Sequence, residues 1–301
     1  MTIRKLEPDD AAAVVELLRA TDPLYLGNEA TFRHRLAHVP QRARRGSWVA
    51  FEGDRLVGYA IASTRFWTSV ADSGTLDVCV LADARGRGAG AALYDRAEQH
   101  LREIGVRRAW AVFTANDAGE RFARRRGFEP VRVDRISAID PCAFTEALPR
   151  VEGFDAVPLA VLRDRPREIF DVEAEVVGDI PLSEPFRLEY ETWLREDWTH
   201  PLLDFDVSTV VLQGERAVGF AQVRVDRESG RADNSFTATR REVRGLGLAR
   251  LAKVRSLQAA AALGITSMTT ANDERNAPML AVNKRLGYQP IATRAEWRRE
   301  L

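Results

Sequence analysis

The chain has 301 residues, enough for two domains of about 150 residues each, and its 45% hydrophobic and 29% charged content supports packed cores and excludes global disorder. Its 44 basic and 44 acidic side chains cancel, so no overall basic field exists to hold nucleic acid through its phosphates. Cys79 and Cys142 have no CxxC partner, which argues against a disulfide framework or a structural zinc site, and neither an apolar leader nor a run of about 18 apolar residues occurs, so a soluble, cytoplasmic protein that does not span a membrane is expected.

In chain order, TIRKL reads as a strand and DDAAAVVELLRA as a helix that Asp9 or Asp10 is placed to cap. SWVAFEG and RLVGYAIAST, joined by EGDR, read as a hairpin. TLDVCVL is the next strand and leads into the glycine-rich RGRGAG at 85–90. Leu93, Ala97, Leu101 and Ile104 then recur at helical spacing until Gly105, followed by a strand at RAWAVFT, a short helix at AGERFARRRG and a strand at FEPVRVD.

The second half repeats this order. RLVGYAIASTR at 55–65 pairs with RAVGFAQVRVD at 216–226, an offset of 161, and RGRGAG pairs with RGLGLA at 244–249, an offset of 159. TAND recurs at 114 and 270, offset 156, and GFEPV at 127 pairs with GYQPI at 287, offset 160. Four blocks in one order indicate a duplicated domain, with halves expected at 1–148 and 149–301. Strands and helices alternate in both, so each half is α/β or α+β.

A strand that passes through Arg-x-x-Gly-x-Gly into a helix leaves unpaired backbone amides at one spot, where the helix dipole favours negative charge. That is an anion site, most naturally for a pyrophosphate. A phosphate-binding loop of the GxxxxGK[ST] type would need a lysine that follows neither Gly90 nor Ala249, and a dinucleotide fingerprint should follow the first strand instead of several.

Arg85-x-x-Gly88-x-Gly90 and Arg244-x-x-Gly247-x-Ala249 resemble the [RQ]xxGx[GA] signature of the GCN5-related N-acetyltransferase (GNAT) family. The order of elements in both halves is similar too, over nearly the whole chain. The resemblance implies tandem GNAT domains, each a mixed, mostly antiparallel sheet flanked by helices, and acetyl-CoA or another acyl-CoA as co-substrate in a V-shaped gap between the fourth and fifth strands. On that basis Arg85, Gly86, Gly88 and Gly90, and Arg244, Gly245, Gly247 and Ala249, would hold the pyrophosphate. Backbone at Val78 and Val80, or at Thr237 and Thr239, would face the pantetheine and polarise the thioester, with Asn116, Asn272 and Asn283 also near the cofactor.

Asp77 stands on the fourth strand with its side chain opposite those of Val78 and Val80, a candidate base; its counterpart in the second half is Phe236, leaving Asp233 as the nearest acid and Thr237 as a further candidate. The family often places a tyrosine four residues before the last glycine as acid for the leaving thiolate, but those positions are Ala123 and Asn283. The second half, with its asparagines and longer final helix, is expected to be the catalytic one. Glu173, Glu175, Asp179, Asp197 and Asp204 lie where the family places its acceptor and would suit a cationic amine. The run RFARRRG at 121–127 is a candidate for the 3′-phosphate of coenzyme A, Cys79 reads as a small buried residue, and His34 and His38 lack the acids that a metal site needs. The expected function is transfer of an acetyl group to a primary amine of a small metabolite or antibiotic. Acetylation of protein lysines or N-termini, and acyl-CoA sensing without catalysis, are the alternatives; no metal is expected, and the protein is expected to be a monomer or homodimer.

Overall fold

The computed structural model describes residues 1–301. In chain order the elements are β1 (Thr2–Lys5), α1 (Ala11–Thr21), α2 (Glu29–His38), β2 (Gly46–Glu52), β3 (Arg55–Thr64), β4 (Ser73–Val80), α3 (Ala89–Glu103), β5 (Arg108–Thr114), α4 (Asp117–Arg125) and β6 (Glu129–Ile139). Then follow β7 (Asp155–Pro158), α5 (Pro166–Val176), α6 (Tyr190–Trp193), β8 (Thr209–Gln213), β9 (Arg216–Asp226), β10 (Arg231–Thr239), α7 (Leu248–Ala262), β11 (Ser267–Asp273), α8 (Ala277–Arg285) and β12 (Gln289–Glu300). Asp10 precedes α1 but makes no side-chain cap; its carboxylate instead accepts from both Nη atoms of Arg4 at 2.7 Å and from the Glu7 amide at 2.8 Å.

The chain forms two compact units. The first comprises Met1–Val133, Ser183–Arg187 and Thr293–Leu301, and the second Asp134–Leu182 and Leu188–Ala292. The sequence repeat divides the chain near residue 148, whereas compactness divides it inside β6 and again inside β12, because strand pairing and not repeat order decides where each segment packs.

In the first unit β1 to β4 pair antiparallel in order. β4 then runs parallel to β5 for three residue pairs only, Ser73 with Arg108, Gly74 with Ala109 and Thr75 with Trp110. Beyond Thr75 the strands separate, while the far edge of β5 is covered antiparallel by Arg294–Glu300 of β12. Alternation along β4 turns Leu76, Val78 and Val80 to the face packed by α3 with Leu93, Ala97 and Leu101, and Cys79 to the face packed by α1 and α2 with Val14, Phe32 and Tyr59.

The closed end of this gap is pinned by a buried polar cluster. Glu184 accepts from Ser73 Oγ at 2.8 Å and from Trp110 Nε1 at 3.2 Å, so it ties together the two strands where they still pair. Arg65 lies between the rings of Trp67 and Trp110, 4.2 and 4.4 Å from their centroids, and donates to Glu296 at 2.7 Å.

In the second unit β7 to β10 pair antiparallel, β10 runs parallel to β11 through Arg231, Ala232 and Asp233, and β11 is flanked antiparallel by Asp134–Ile139 of β6. The β9–β10 register slips at Ser235, since Asn234 faces Val223 and Phe236 faces Gln222; β4 pairs with β3 without any such slip. One face carries α5 and α6 with Phe170, Trp193 and Phe220, the other α7 and α8 with Val254, Leu257 and Leu286.

The last strand of the first unit thus comes from the end of the chain. Trp297 on it is 1% exposed and stacks on Phe113 at 5.7 Å. Trp297→Ala is expected to destabilise the first unit by about 3–5 kcal/mol in urea unfolding, because the vacated volume cannot be refilled. A polypeptide ending at Leu148 is expected to show no cooperative transition for this unit.

Candidate active site

Each signature glycine pair sits where only glycine is comfortable. Gly86 and Gly88 have φ of +80° and +94°, and Gly245 and Gly247 both have +82°. These left-handed steps turn the chain so that Gly88 and Gly247 cap α3 and α7 without a side chain. The first helical hydrogen bonds run from Ala92 to Gly88 and from Leu251 to Gly247, each 3.0 Å, so the amides of residues 89–91 and 248–250 have no partner further back in their helices. Nothing lies within 4 Å of where a Cβ would stand at Gly86, Gly88, Gly245 or Gly247. At Gly90 a Cβ would meet only Val80 and Phe122 at ordinary contact distances, 3.6 and 3.8 Å, which explains why Ala249 serves in the second copy. Two open cradles of backbone amides at helix N-termini fit the pyrophosphate of an acyl-CoA.

The arginines beside the cradles differ. Arg85 donates from Nε to the Val80 carbonyl at 3.1 Å and meets no carboxylate. Arg244 is paired with Asp179 at 2.6 Å, and the same carboxylate takes Arg241 at 2.7 Å, an arrangement that pulls the Asp179 carboxyl down to about 2. Glu175 adds to this cluster by accepting from the Arg241 amide at 2.8 Å and from Arg240 Nη1 at 2.6 Å.

The gaps differ as well. Past Thr75 in the first unit and past Asp233 in the second, alternate residues of β4 and β10 turn amides and carbonyls toward the edge that the parallel partner has left. Val78 and Val80, and Thr237 and Thr239, lie on these stretches. Asp77 is half-buried there, and the Val112 backbone of β5 favours its charged form. Burial pushes this carboxyl up to about 6, opposed by the nearby Arg35 guanidinium. On the same face the Cys79 thiol is pushed up to about 12 by burial and by Asp77, so it is no thiolate. In the second unit Asp233 stands where the strands still pair and accepts from Thr269 Oγ1 at 2.9 Å; Thr237 Oγ1 donates to Asn234 Oδ1 at 3.1 Å.

The three asparagines separate. Asn272 and Asn283 come together, with Nδ2 of Asn283 donating to Oδ1 of Asn272 at 2.7 Å, and the buried Oδ1 of Asn283 is left without a partner. Asn116 is instead the N-cap of α4: its Oδ1 accepts from the Gly119 amide at 2.8 Å and its Nδ2 donates to the Thr114 carbonyl at 2.9 Å. Its structural counterpart is Asn276, the N-cap of α8, an offset of 160 that matches the neighbouring blocks where the TAND pairing at 156 does not.

The acids expected around a cationic acceptor are largely committed elsewhere. Glu175 and Asp179 hold the arginines of the second cradle, Asp197 pairs with Arg224 at 2.9 Å and Asp204 pairs with Arg227. Glu173 is buried and accepts from Trp193 Nε1 at 2.9 Å. In the arginine run at the end of α4, Arg126 pairs with Asp95 at 2.6 Å and Arg124 lies over the Trp297 ring. His34 and His38 stack on each other at 4.1 Å. Sequence reasoning missed Asn234 and Lys253, which meet beneath β10; a lysine inside an otherwise apolar helix stripe was the available signal.

A family model described as the acetyltransferase (GNAT) family matches residues 12–128 and 171–288. Among solved structures, a tandem GNAT protein from the clavulanic acid biosynthesis pathway superposes with a TM-score of 0.76 at 19% identity, covering 99% of this chain and 98% of that one. A GCN5-related N-acetyltransferase from Sphaerobacter thermophilus gives 0.74 at 18% identity, covering 99% and 95%. A putative acetyltransferase from Pyrococcus horikoshii gives 0.63 at 15%, covering 100% and 89%. No curated protein matches the chain.

Burial, reinforced by Asp197, pushes the Glu173 carboxyl from its ordinary 4.5 up to about 8. Between those values the unfolded chain releases a proton that the folded chain retains, so the contribution of Glu173 to folding stability is fully present below about 4.5 and is lost as pH rises toward 8. Glu173→Gln is expected to flatten that decline in urea titrations run from pH 5 to 8, and an unchanged slope would assign it to other groups.

Proposed function

Because this chain belongs to the acetyltransferase (GNAT) family, we propose that it moves an acetyl group from acetyl-CoA to a primary amine of a small metabolite or antibiotic by direct attack, and that the first unit carries the transfer. It is an N-acetyltransferase with acetyl-CoA as co-substrate, as its family is. Bound acetyl-CoA supplies an acetyl group activated as a thioester. In the first unit the cradle amides with Arg85, Gly86, Gly88 and Gly90 would hold its pyrophosphate, and the backbone of Val78 and Val80 would line its pantetheine arm. Arg244, Gly245, Gly247, Ala249, Thr237, Thr239, Asn272 and Asn283 would do the same in the second.

The observation that carries the reading is Asp77. An acceptor arrives as an ammonium ion and must lose a proton before its nitrogen can attack. Asp77 is an acceptor-only carboxylate above about pH 6, it stands at the gap, and it lies on the face away from Val78 and Val80. The surroundings of Asp77 are Tyr59, Cys79 and Arg35, a desolvated spot suited to an amine on a narrow stem more than to a folded surface. Positioning supplies much of the remaining acceleration. The second unit has Phe236 at this place. With Ala123 and Asn283 where a tyrosine would stand, the departing thiolate takes its proton from water or from the amine.

A second reading places the transfer in the second unit. It is favoured by the unpartnered Asn283 Oδ1, which suits a pantetheine amide.

Calorimetric titration of acetyl-CoA, with thiol release measured over a panel of small amines and lysine peptides, separates these readings. Gly88→Trp is expected to abolish thiol release and Gly247→Trp to retain it; the reverse moves the transfer to the second unit. Binding without release from any amine would leave a sensor, and release with peptides alone would make the acceptor a polypeptide. Asp77→Asn is expected to lower kcat by about 10²-fold or more. It is also expected to remove the rise in rate with pH that centres near 6 in the parent.

A further inference from the structure

Lys253 is one of three lysines in the chain and the sixth residue of α7. It is 2% exposed, its Nζ donates to Asn234 Oδ1, and it lies over the Tyr288 ring at 5.1 Å. Asn234 is the first residue of β10 beyond its pairing with β11. From there its Nδ2 donates to the Gln222 carbonyl at 2.9 Å and to the Phe236 carbonyl at 3.0 Å, so that one side chain bridges both sides of the bulge at Ser235. Its Oδ1 also accepts from Thr237 Oγ1 at 3.1 Å, and its carbonyl accepts from Thr270 Oγ1 of β11 at 3.2 Å. Every hydrogen-bonding atom of this side chain therefore fixes where β10 goes after it leaves β11.

We propose that Lys253 is a positioning residue: by anchoring Asn234 it holds the Ser235 bulge and keeps β10 turned away from β11, fixing the gap in which the second unit receives the pantetheine arm of acyl-CoA. The inference rests on the reading that the second unit binds acyl-CoA. A buried ammonium requires an acceptor, and here that acceptor is an amide whose other end is spent on the bulge. Burial pulls the Lys253 pKa down to about 7, opposed by Asp233, so the group is retained against a desolvation penalty. The first unit lacks the device. The sixth residue of α3 is Tyr94, whose hydroxyl accepts from Arg299, and β4 has no bulge.

The test uses the full chain carrying Gly88→Trp, so that the second cradle alone is titrated. Two ligands are compared by calorimetry: acetyl-CoA, and 3′-phospho-ADP, which has the pyrophosphate but no pantetheine arm. Lys253→Met is expected to weaken acetyl-CoA by about tenfold or more and to leave 3′-phospho-ADP within about twofold, since the cradle glycines do not depend on the clamp. Asn234→Ala should give the same pattern, with no further loss in the double variant, because both changes break one connection. Asn234→Ala also carries the test if Lys253→Met does not fold. Unchanged acetyl-CoA affinity, or equal weakening of both ligands, overturns the clamp. Failure of the Gly88→Trp parent to bind either ligand overturns the underlying reading, and the clamp with it.

Discussion

The site depends on a parallel pairing that stops after three residues. Parallel strands whose ladder continued would leave no gap, and strands that never paired would have no fixed geometry. In each unit the pairing is kept at one end and released at the other. Different polar groups mark the place where pairing ends: buried Glu184 on Ser73 and Trp110 in the first unit, and in the second half-buried Asp233 on Thr269, with buried Asn234 and Lys253 just past the last pair. Buried polar groups of this kind hold one arrangement because any slip leaves a donor or acceptor unpaired away from water.

Once the gap is fixed, the two copies diverge in what surrounds it. The first offers a signature arginine bonded only to the Val80 carbonyl and a desolvated carboxyl, the combination suited to binding an anion and removing a proton. The second offers a bulged strand, a pair of asparagines and an arginine already neutralised by Asp179. A carboxylate on Arg244 reduces the positive field that a pyrophosphate would meet, so equal cradles need not bind equally. Duplication preserved the backbone trap and left the side chains around it free to specialise.

Much of this was legible in the chain itself. The glycines had to be glycines because φ near +80° to +94° is strained for other residues, and that requirement survives in the sequence as a motif. Strand alternation alone sets Asp77 opposite Val78 and Val80. The four-letter TAND match set Asn116 against Asn272, whereas its place just after a strand and just before a helix makes it the cap of α4, as Asn276 is of α8. For the acids of the second half, sequence shows which residues are charged but not which arginines they meet.

What the sequence determined by itself was local or periodic: the alternation of strands and helices, the duplication, the cradle glycines and the family they point to. These depend on neighbours a few residues apart, or on comparison of one half with the other. Tertiary structure decided everything that joins distant positions. The exchange of the last strands, the burial that raises the Asp77 carboxyl, the pairing of Asp179 with Arg244 and the contact of Lys253 with Asn234 each bring together segments that composition and spacing do not link. Charge and hydrogen-bond energies depend on distance and on the exclusion of water, and both exist only once the chain has folded.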